Sequence, residues 1–224
     1  MCKAIEVANW FINNEYTPIN SMSGNLKLNK LLYFAQLISL IKREKPLFKD
    51  ELYAFKNGVV VENIRKEYNE NFYKFIDRAK YDNTVFESDE LSILEFTKEI
   101  FMNVSAEELS DLTHEHKSWK ENFEKSKEFR AGKQWYNKEI SKIEIEDYFT
   151  KYKCDLELVK NIIDAKECSQ NDNNEDVIEV NGVKFYYNPE ELNVYDYIET
   201  LKAFSENDGA YTLYLDDTQG LVIF

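Results

Sequence analysis

The sequence predicts a mainly α-helical protein, built from several helices, with a small C-terminal α+β module. The chain of 224 residues contains only 6 Gly and 3 Pro, which argues against a loop-rich β-sandwich. Apolar residues recur at helical spacing up to about residue 168, and the spacing changes to strict alternation beyond residue 176. We therefore expect a helical domain over residues 1–168 and a ββαββ module over residues 177–224.

The helical domain is expected to be organised around one buried helix. A first amphipathic helix is predicted over residues 2–14, followed by a loop over residues 13–25 that contains the turn formers Pro18 and Gly24. The next helix, residues 26–42, is apolar on nearly all sides. That pattern is typical of a helix enclosed by the rest of a fold, so this helix is predicted to be central.

Residues 51–60 are the least helical part of this domain. A Lys-Asn-Gly turn at residues 56–58, followed by three valines, predicts a tight bend with a short extended piece. Ser105 and Glu108 fit a capping box that starts another helix. Further helices are predicted over residues 62–68, 72–79, 88–104, 115–129 and 146–167.

The C-terminal module begins with a strong hairpin signal. Alternating apolar residues flank the Asn181-Gly182 pair, which favours a type I′ turn. Pro189 suits the first turn of a helix that is predicted to continue to about residue 205. A second hairpin is expected over residues 210–224, which completes a ββαββ order.

The net charge of −14 is distributed very unevenly along the chain. Residues 1–169 hold 26 basic and 30 acidic side chains, a balance of −4, whereas residues 170–224 hold 2 lysines and 12 acidic side chains, a balance of −10. Phosphate backbones repel such a segment, so direct nucleic-acid binding through it is not expected. The segment is interpreted either as a solvated acidic surface or as an acidic face for a basic partner.

No catalytic or metal-binding pattern is visible in the chain. The only histidines, His114 and His116, are two positions apart and would not share a helix face, so they are not expected to bind one metal ion together. There is no glycine-rich phosphate loop and no nucleophile motif. We expect a non-enzymatic protein without cofactor or metal, in which His114 satisfies backbone groups near a helix end. A hydrolase that uses His114 is the catalytic alternative.

The sequence features that bear on location favour the cytoplasm. The 3 cysteines are far apart and form no CxxC pair, which fits a reducing compartment better than a secreted disulfide scaffold. Polar residues interrupt the apolar N-terminus, which is unlike a signal peptide, and no apolar run approaches the length of a membrane span. We therefore expect a cytoplasmic protein without membrane partners.

Three short segments within the first 120 residues carry a family resemblance. They are LKLNKLLYFAQ (Leu26–Gln36), LYAFKNGVVVENIRKEY (Leu52–Tyr68) and LTHEHKSW (Leu112–Trp119). In this order and spacing they resemble the Panacea domain, a family of bacterial and phage antitoxins that includes SocA-like proteins. The resemblance covers roughly residues 1–150 and does not extend to the acidic module.

Two features depart from the resembled pattern. Phe55 stands at the position of the family's loop tryptophan, and Val59 and Ser118 stand at the positions of its two prolines. Because proline fixes φ and valine does not, the loop is expected to be less rigid in this chain.

The resemblance implies a non-enzymatic protein that neutralises a toxin by direct contact, and it leaves the toxin and the oligomeric state open. A weaker alternative is a protease adaptor, as in a related branch of the family. An alternative of another class is a phage or mobile-element inhibitor, whose acidic module occupies the basic groove of a nuclease or defence complex. The candidate partner-binding residues are Lys30, Tyr33, Gly58, Val59, Tyr68, His114, Trp119, Glu190, Glu191, Asp216 and Asp217.

Overall fold

A computed structural model describes residues 2–130, 133–172, 175–204, 209–216 and 220–224 of the chain. The chain divides into two units, Met1–Ile162 and Ile163–Phe224. The larger unit contains most of the helices, and the smaller one contains a four-stranded sheet.

Helix α2 (Met22–Arg43) is the central element of the larger unit and follows helix α1 (Ala4–Asn13). Of the 22 residues of α2, 15 are buried, which confirms the predicted central helix. It begins before the predicted start, because the Ser21 hydroxyl accepts a hydrogen bond from the Gly24 backbone N–H at 3.1 Å and caps the first turn. The predicted loop over residues 13–25 is therefore wrong in its last four positions.

A short antiparallel hairpin lies against α2. Strands β1 (Leu52–Phe55) and β2 (Gly58–Val61) pair with Phe55 opposite Gly58, which confirms the predicted tight bend. Helix α3 (Glu62–Ala79) follows directly. The two helices predicted here form one element that is interrupted by non-helical backbone angles at Asn71.

Helices α4 (Ser88–Phe101), α5 (Ala106–Glu115) and α6 (Lys117–Lys125) continue the larger unit. The predicted capping box before α5 is confirmed, since Ser105 and Glu108 exchange side-chain-to-backbone hydrogen bonds. The remaining part of this unit was predicted less well.

The predicted helix over residues 115–129 is wrong beyond Lys125. Ser126 caps the C-terminal end of α6. Its carbonyl accepts a hydrogen bond from Asn137 N–H at 2.8 Å, which brings the chain back to the end of this helix. Strands β3 (Lys127–Arg130) and β4 (Lys133–Tyr136) form the resulting antiparallel pair. Gly132, whose residue type predicts an interruption of the helical pattern, lies outside the described residues.

The predicted helix over residues 146–167 is wrong in its first part. After strand β5 (Lys142–Ile143), which pairs with β1, the chain makes a 3₁₀ turn over Ile145–Phe149, and helix α7 (Lys153–Asp172) begins only afterwards. Thr150 has non-helical φ and ψ of −126° and −76°, which separates the two elements. The pattern of a helix over residues 146–167 would place Phe149 on its inward face, whereas the side chain is 36% exposed in the structure.

The smaller unit contains strands β6 (Asp176–Val180), β7 (Val183–Tyr187), β8 (Ala210–Asp216) and β9 (Gly220–Ile223) in the sheet order β6-β7-β8-β9. Strands β7 and β8 are parallel, and the other neighbours are antiparallel. The predicted turn between β6 and β7 is confirmed by positive φ at both of its central residues. The buried core consists of Val180, Val183, Phe185, Tyr187, Leu192, Val194, Leu201 and Leu213.

The helix of this unit is much shorter than predicted. A 3₁₀ turn over Val194–Tyr197 leads into a single α-turn, α8 (Ile198–Leu201). The Asn188 side chain accepts a hydrogen bond from Glu190 N–H at 3.0 Å, and this local turn replaces the expected helix start.

Gly58 provides a test of how tightly the β1–β2 hairpin is packed. Its φ is 93°, and an added Cβ would lie 2.4 Å from Lys30 Nζ and 2.7 Å from Thr113 Oγ1. We expect Gly58→Ala to lower the free energy of unfolding by about 3 kcal/mol, because backbone strain adds to steric conflict in a packed core. Chemical denaturation followed by circular dichroism measures this loss.

Gly220→Ala is the matched control, because Gly220 has a φ of 77° but no described atom within 4 Å of an added Cβ. It carries the backbone strain alone and should cost about 1 kcal/mol. Equal losses for the two variants would show that the close approach of Lys30 and Thr113 to Gly58 is unimportant.

Candidate functional site

The three sequence segments that carry the family resemblance meet around the side chain of Lys30. Lys30 lies on α2 and is fully buried, and its Nζ donates a hydrogen bond to the Val59 carbonyl at 2.8 Å. Gly58 lies directly against Lys30 Nζ and the Thr113 hydroxyl. The central helix, the hairpin and α5 therefore contact one another at a single point.

Burial lowers the pKa of Lys30 well below its ordinary value. Among the described residues no carboxylate forms an ion pair with this amine. An ammonium group without a counter-ion is costly in such a place, so the surroundings favour the neutral amine. Lys30 thus serves as a hydrogen-bond donor to the hairpin backbone.

A second polar cluster lies along the same helix. The Tyr33 hydroxyl is hydrogen-bonded to His116 Nδ1 at 2.7 Å and to the Tyr148 hydroxyl at 3.1 Å. The Tyr148 hydroxyl is also 3.1 Å from Ser118 Oγ. Burial lowers the pKa of His116 to about 4, with the Asp155 carboxylate partly opposing this effect. The ring is therefore neutral at pH 7.

Asp155 holds the N-terminus of α6 from a distant position in the chain. Its buried carboxylate accepts hydrogen bonds from Lys117 N–H at 2.7 Å and from Ser118 N–H at 2.9 Å. These two groups are among the unpaired donors of the helix start, where a negative charge is favourable. Proline, which the resembled family carries at position 118, has no N–H to donate. Ser118, unlike proline, thus provides a backbone N–H that binds the Asp155 carboxylate.

Trp119 fixes the tip of the β1–β2 hairpin. Its indole N–H donates to the Phe55 carbonyl at 2.7 Å, and its ring is 4.1 Å from the His114 ring and stacks on Phe123 at 5.2 Å. Phe123 in turn stacks on Tyr136 of β4 at 5.0 Å. This row of rings connects the hairpin tip to the second hairpin.

The role expected for His114, which is to satisfy backbone groups near a helix end, stays a prediction. Burial lowers the pKa of His114, whereas the backbone of Lys56 is close enough to favour the protonated ring. Its Nε2 is buried without a hydrogen-bond partner among the described residues. The ring packs on Trp119, with the two ring centroids 4.1 Å apart.

Most of the predicted contact residues of the larger unit do not face solvent. Lys30, Tyr33, Gly58, Val59 and Tyr68 are all buried, so their side chains shape the interior and offer no surface for a partner in this structure. Tyr68, for example, donates a hydrogen bond to the Ile19 carbonyl at 2.7 Å. Only His114 and Trp119 are partly exposed.

A groove of about 630 Å³ opens beside the β1–β2 turn. Its walls come from the first turns of α2 and α3, the hairpin tip, α6 and the segment after β4. We call it the hairpin groove. It is lined by Met22, Asn25, Leu26, Asn29, Ala54, Phe55, Lys56, Asn57, Val60, Arg65, Asn69, Phe123, Ser126, Tyr136, Lys138 and Ser141.

Asparagine side chains fix one wall of the hairpin groove. Asn25 Nδ2 donates to the Arg65 carbonyl at 2.9 Å and to Asn69 Oδ1 at 2.6 Å. Asn29 donates to Asn25 Oδ1 at 2.7 Å and accepts from Val61 N–H at 2.9 Å. These bonds connect α2 to α3 and to β2, so the wall is held in place by its own hydrogen bonds.

Two cations that line the hairpin groove, Arg65 and Lys138, share one carboxylate with the neighbouring Lys66. Arg65 Nε lies 2.5 Å from Glu62 Oε2, and the Nζ atoms of Lys66 and Lys138 each lie 3.7 Å from Glu62 Oε1. Arg65 also lies over the Phe55 ring, 5.3 Å from its centroid. The local charge is positive although the chain as a whole carries −14.

In the smaller unit, the strand order brings predicted acidic residues to one end of the sheet. Strands β7 and β8 are parallel, so Glu190 and Glu191, which follow β7, lie at the same end as Asp216, which closes β8. Glu190 and Glu191 are exposed. Asp217 falls outside the described residues.

Sequence reasoning missed the residues on which this arrangement depends. His116, Asp155 and Tyr148 come together only through tertiary contacts, and Arg65 and Lys138 are far apart in the chain. No group of three or more His, Cys, Asp or Glu side chains suited to a metal ion occurs among the described residues. Likewise, no helix in the described parts of the chain is long and apolar enough to cross a membrane.

Residues 28–120 match the model of the family described as antitoxin SocA-like, Panacea domain. The match confirms the resemblance on this segment, which contains Lys30, Val59 and Trp119 and most of the three motif segments. No curated protein and no solved structure matches the chain.

His116 makes the stability of the fold sensitive to mild acid. The unfolded chain takes up this proton near pH 6.5, whereas the folded protein does so only near pH 4, so stability falls as pH falls through this window. His116→Gln removes this contribution. Between pH 6.5 and pH 4 we expect the unmodified protein to lose about 3 kcal/mol more unfolding free energy than the variant.

Urea unfolding at a series of pH values measures this difference. His114→Gln is the control, because His114 is partly exposed and should change the pH dependence less. Parallel stability curves for the unmodified protein and His116→Gln would contradict the prediction.

Proposed function

We propose that this protein acts as an antitoxin, which neutralises a partner toxin by direct protein–protein binding and without catalysing a reaction. The observation that carries the proposal is the match of residues 28–120 to the antitoxin family model. The convergence of the three motif segments around Lys30 supports it, because the matched residues hold one another in place.

The burial of the polar motif residues favours binding over catalysis. Lys30 and His116 are 0% and 3% exposed, which leaves no room for a substrate at either group. A catalytic base has to lie within hydrogen-bond reach of the proton that it abstracts. These two side chains therefore serve as internal supports for the surfaces around them.

We propose separate roles for the two parts of the chain. The helical domain, residues 1–168, would hold the toxin, and the acidic module, residues 177–224, would tune partner choice through its charge. The proposed place of action is the cytoplasm, as a complex of two proteins.

Co-expression tests the proposal directly. The product of the neighbouring gene should arrest growth when it is produced alone in a bacterial host, and growth should be restored when both genes are expressed. The two proteins should also co-purify as a stable complex, because neutralisation rests on contact. Absence of both rescue and complex would contradict the antitoxin proposal.

A second experiment separates direct neutralisation from action as a protease adaptor. The rescue is repeated in a host without the major cytoplasmic proteases. Direct neutralisation persists in that host, whereas rescue by a protease adaptor is lost.

One observation favours a second candidate function, a decoy that occupies the basic groove of a nuclease or defence complex. Glu190, Glu191 and Asp216 lie at the same end of the sheet, in a segment with a charge balance of −10. An acidic face of this kind attracts basic grooves that normally hold phosphates.

Charge reversal tests the decoy function. Replacing Glu190, Glu191, Asp216 and Asp217 with lysine should abolish inhibition of duplex-DNA cleavage by a nuclease fraction from the host. A control with the same change in net charge reverses four exposed acidic residues of the larger unit, Glu70, Glu107, Glu146 and Glu157. Full inhibition by the first variant would exclude this function.

A further inference from the structure

The hairpin groove is large enough to receive side chains of another molecule. Its volume of about 630 Å³ falls within the range typical of ligand sites, about 300–1,000 Å³. Two of its apolar lining residues, Met22 and Tyr136, are 73% and 49% exposed. Exposed apolar side chains at the rim of a groove favour a partner that covers the rim as well as filling the groove.

The interior of the hairpin groove suits a large apolar side chain. Phe55 and Phe123 contribute aromatic faces, and Leu26 and Val60 contribute aliphatic ones. Burying one aromatic or large aliphatic side chain in such a place stabilises a complex by about 1.5–3 kcal/mol. The walls are held by the asparagine hydrogen bonds and by Trp119, so the groove exists before a partner arrives.

The charge of the hairpin groove is opposite to that of the chain. Lys56, Arg65 and Lys138 line it, and none of the lining residues is acidic. Glu62, next to the groove, is the carboxylate that Arg65 and Lys138 share with a third cation. No described carboxylate pairs with the exposed Lys56. The groove therefore favours an occupant that brings carboxylates of its own.

We propose that the hairpin groove is the docking site for a segment of the protein partner that carries an aromatic or large aliphatic anchor flanked by carboxylates. The inference rests on the proposed function, since the segment belongs to the toxin that is neutralised. A small-molecule site normally encloses most of its ligand, whereas the exposed Met22 and Tyr136 leave the rim of this groove open. A protein segment fits the open rim better than a free small anion does.

Two variants of the full chain separate the charge and the shape of the groove. Lys56→Glu/Lys138→Glu reverses two lining cations, one exposed and one partly exposed. Asn69→Trp places a bulky ring at an exposed position of the lining and leaves the charge unchanged, and Asn69→Ala, which loses the same hydrogen bond from Asn25 without adding a ring, is its control. The control for the first is Lys80→Glu/Lys160→Glu, which makes the same change in charge at exposed positions outside the groove.

The probe is a fluorescein-labelled peptide of sequence Asp-Glu-Trp-Leu-Asp-Glu, and its binding is followed by fluorescence anisotropy at two salt concentrations. We expect salt-sensitive binding that Lys56→Glu/Lys138→Glu and Asn69→Trp each weaken at least tenfold, with no change for the lysine control. A matched peptide with lysine in place of each carboxylate should not bind. Circular dichroism and urea unfolding show that each variant is folded.

Several outcomes would overturn the proposal. These are no binding of the acidic peptide, binding that neither groove variant weakens, or equal binding of the lysine peptide. Displacement of the peptide by millimolar inorganic phosphate would reveal a simple anion site and would also overturn it.

The groove variants are then tested for rescue of growth in cells that produce the toxin. Rescue that persists in both groove variants leaves the antitoxin function standing and removes the groove as its docking site. If the peptide binds at the groove but the unmodified protein does not rescue growth, the groove stands as a binding site and the antitoxin function is contradicted.

Discussion

The hydrogen bond from Lys30 Nζ to the Val59 carbonyl joins α2 to the β1–β2 hairpin at a point that is closed to solvent. A long basic side chain without a counter-ion is tolerated there only because a backbone acceptor receives it. The arrangement leaves no space for a side chain at position 58, and α5 closes the same point through Thr113. At this point α2, the hairpin and α5 therefore each contact the other two.

A second set of buried contacts extends this constraint to the end of the larger unit. Asp155 binds the first backbone N–H groups of α6, and Tyr148 connects Ser118 to Tyr33 on α2. Helix α6 in turn positions Trp119, which holds the hairpin tip. The hairpin groove therefore has walls that are held by hydrogen bonds on both sides, and Met22 and Tyr136 at its rim are exposed.

Two surfaces of opposite charge follow from this organisation. The hairpin groove of the larger unit is lined by Lys56, Arg65 and Lys138 and by no acidic side chain. The smaller unit carries a strongly acidic segment, with exposed acidic side chains at one end of its sheet. The residues that support the fold are buried, whereas both of these charged surfaces contain exposed side chains.

The sequence alone determined the central helix, the tight bend after Phe55 and the Asn181-Gly182 hairpin, because each depends on periodicity or turn chemistry among neighbouring residues. It predicted a helix beyond Lys125 that the structure replaces with a strand. Only the tertiary structure decided the hairpin groove and the pairing of Tyr33 with His116, 83 positions apart. Such contacts depend on how elements that are far apart in the sequence pack against each other, and no local sequence pattern specifies that packing.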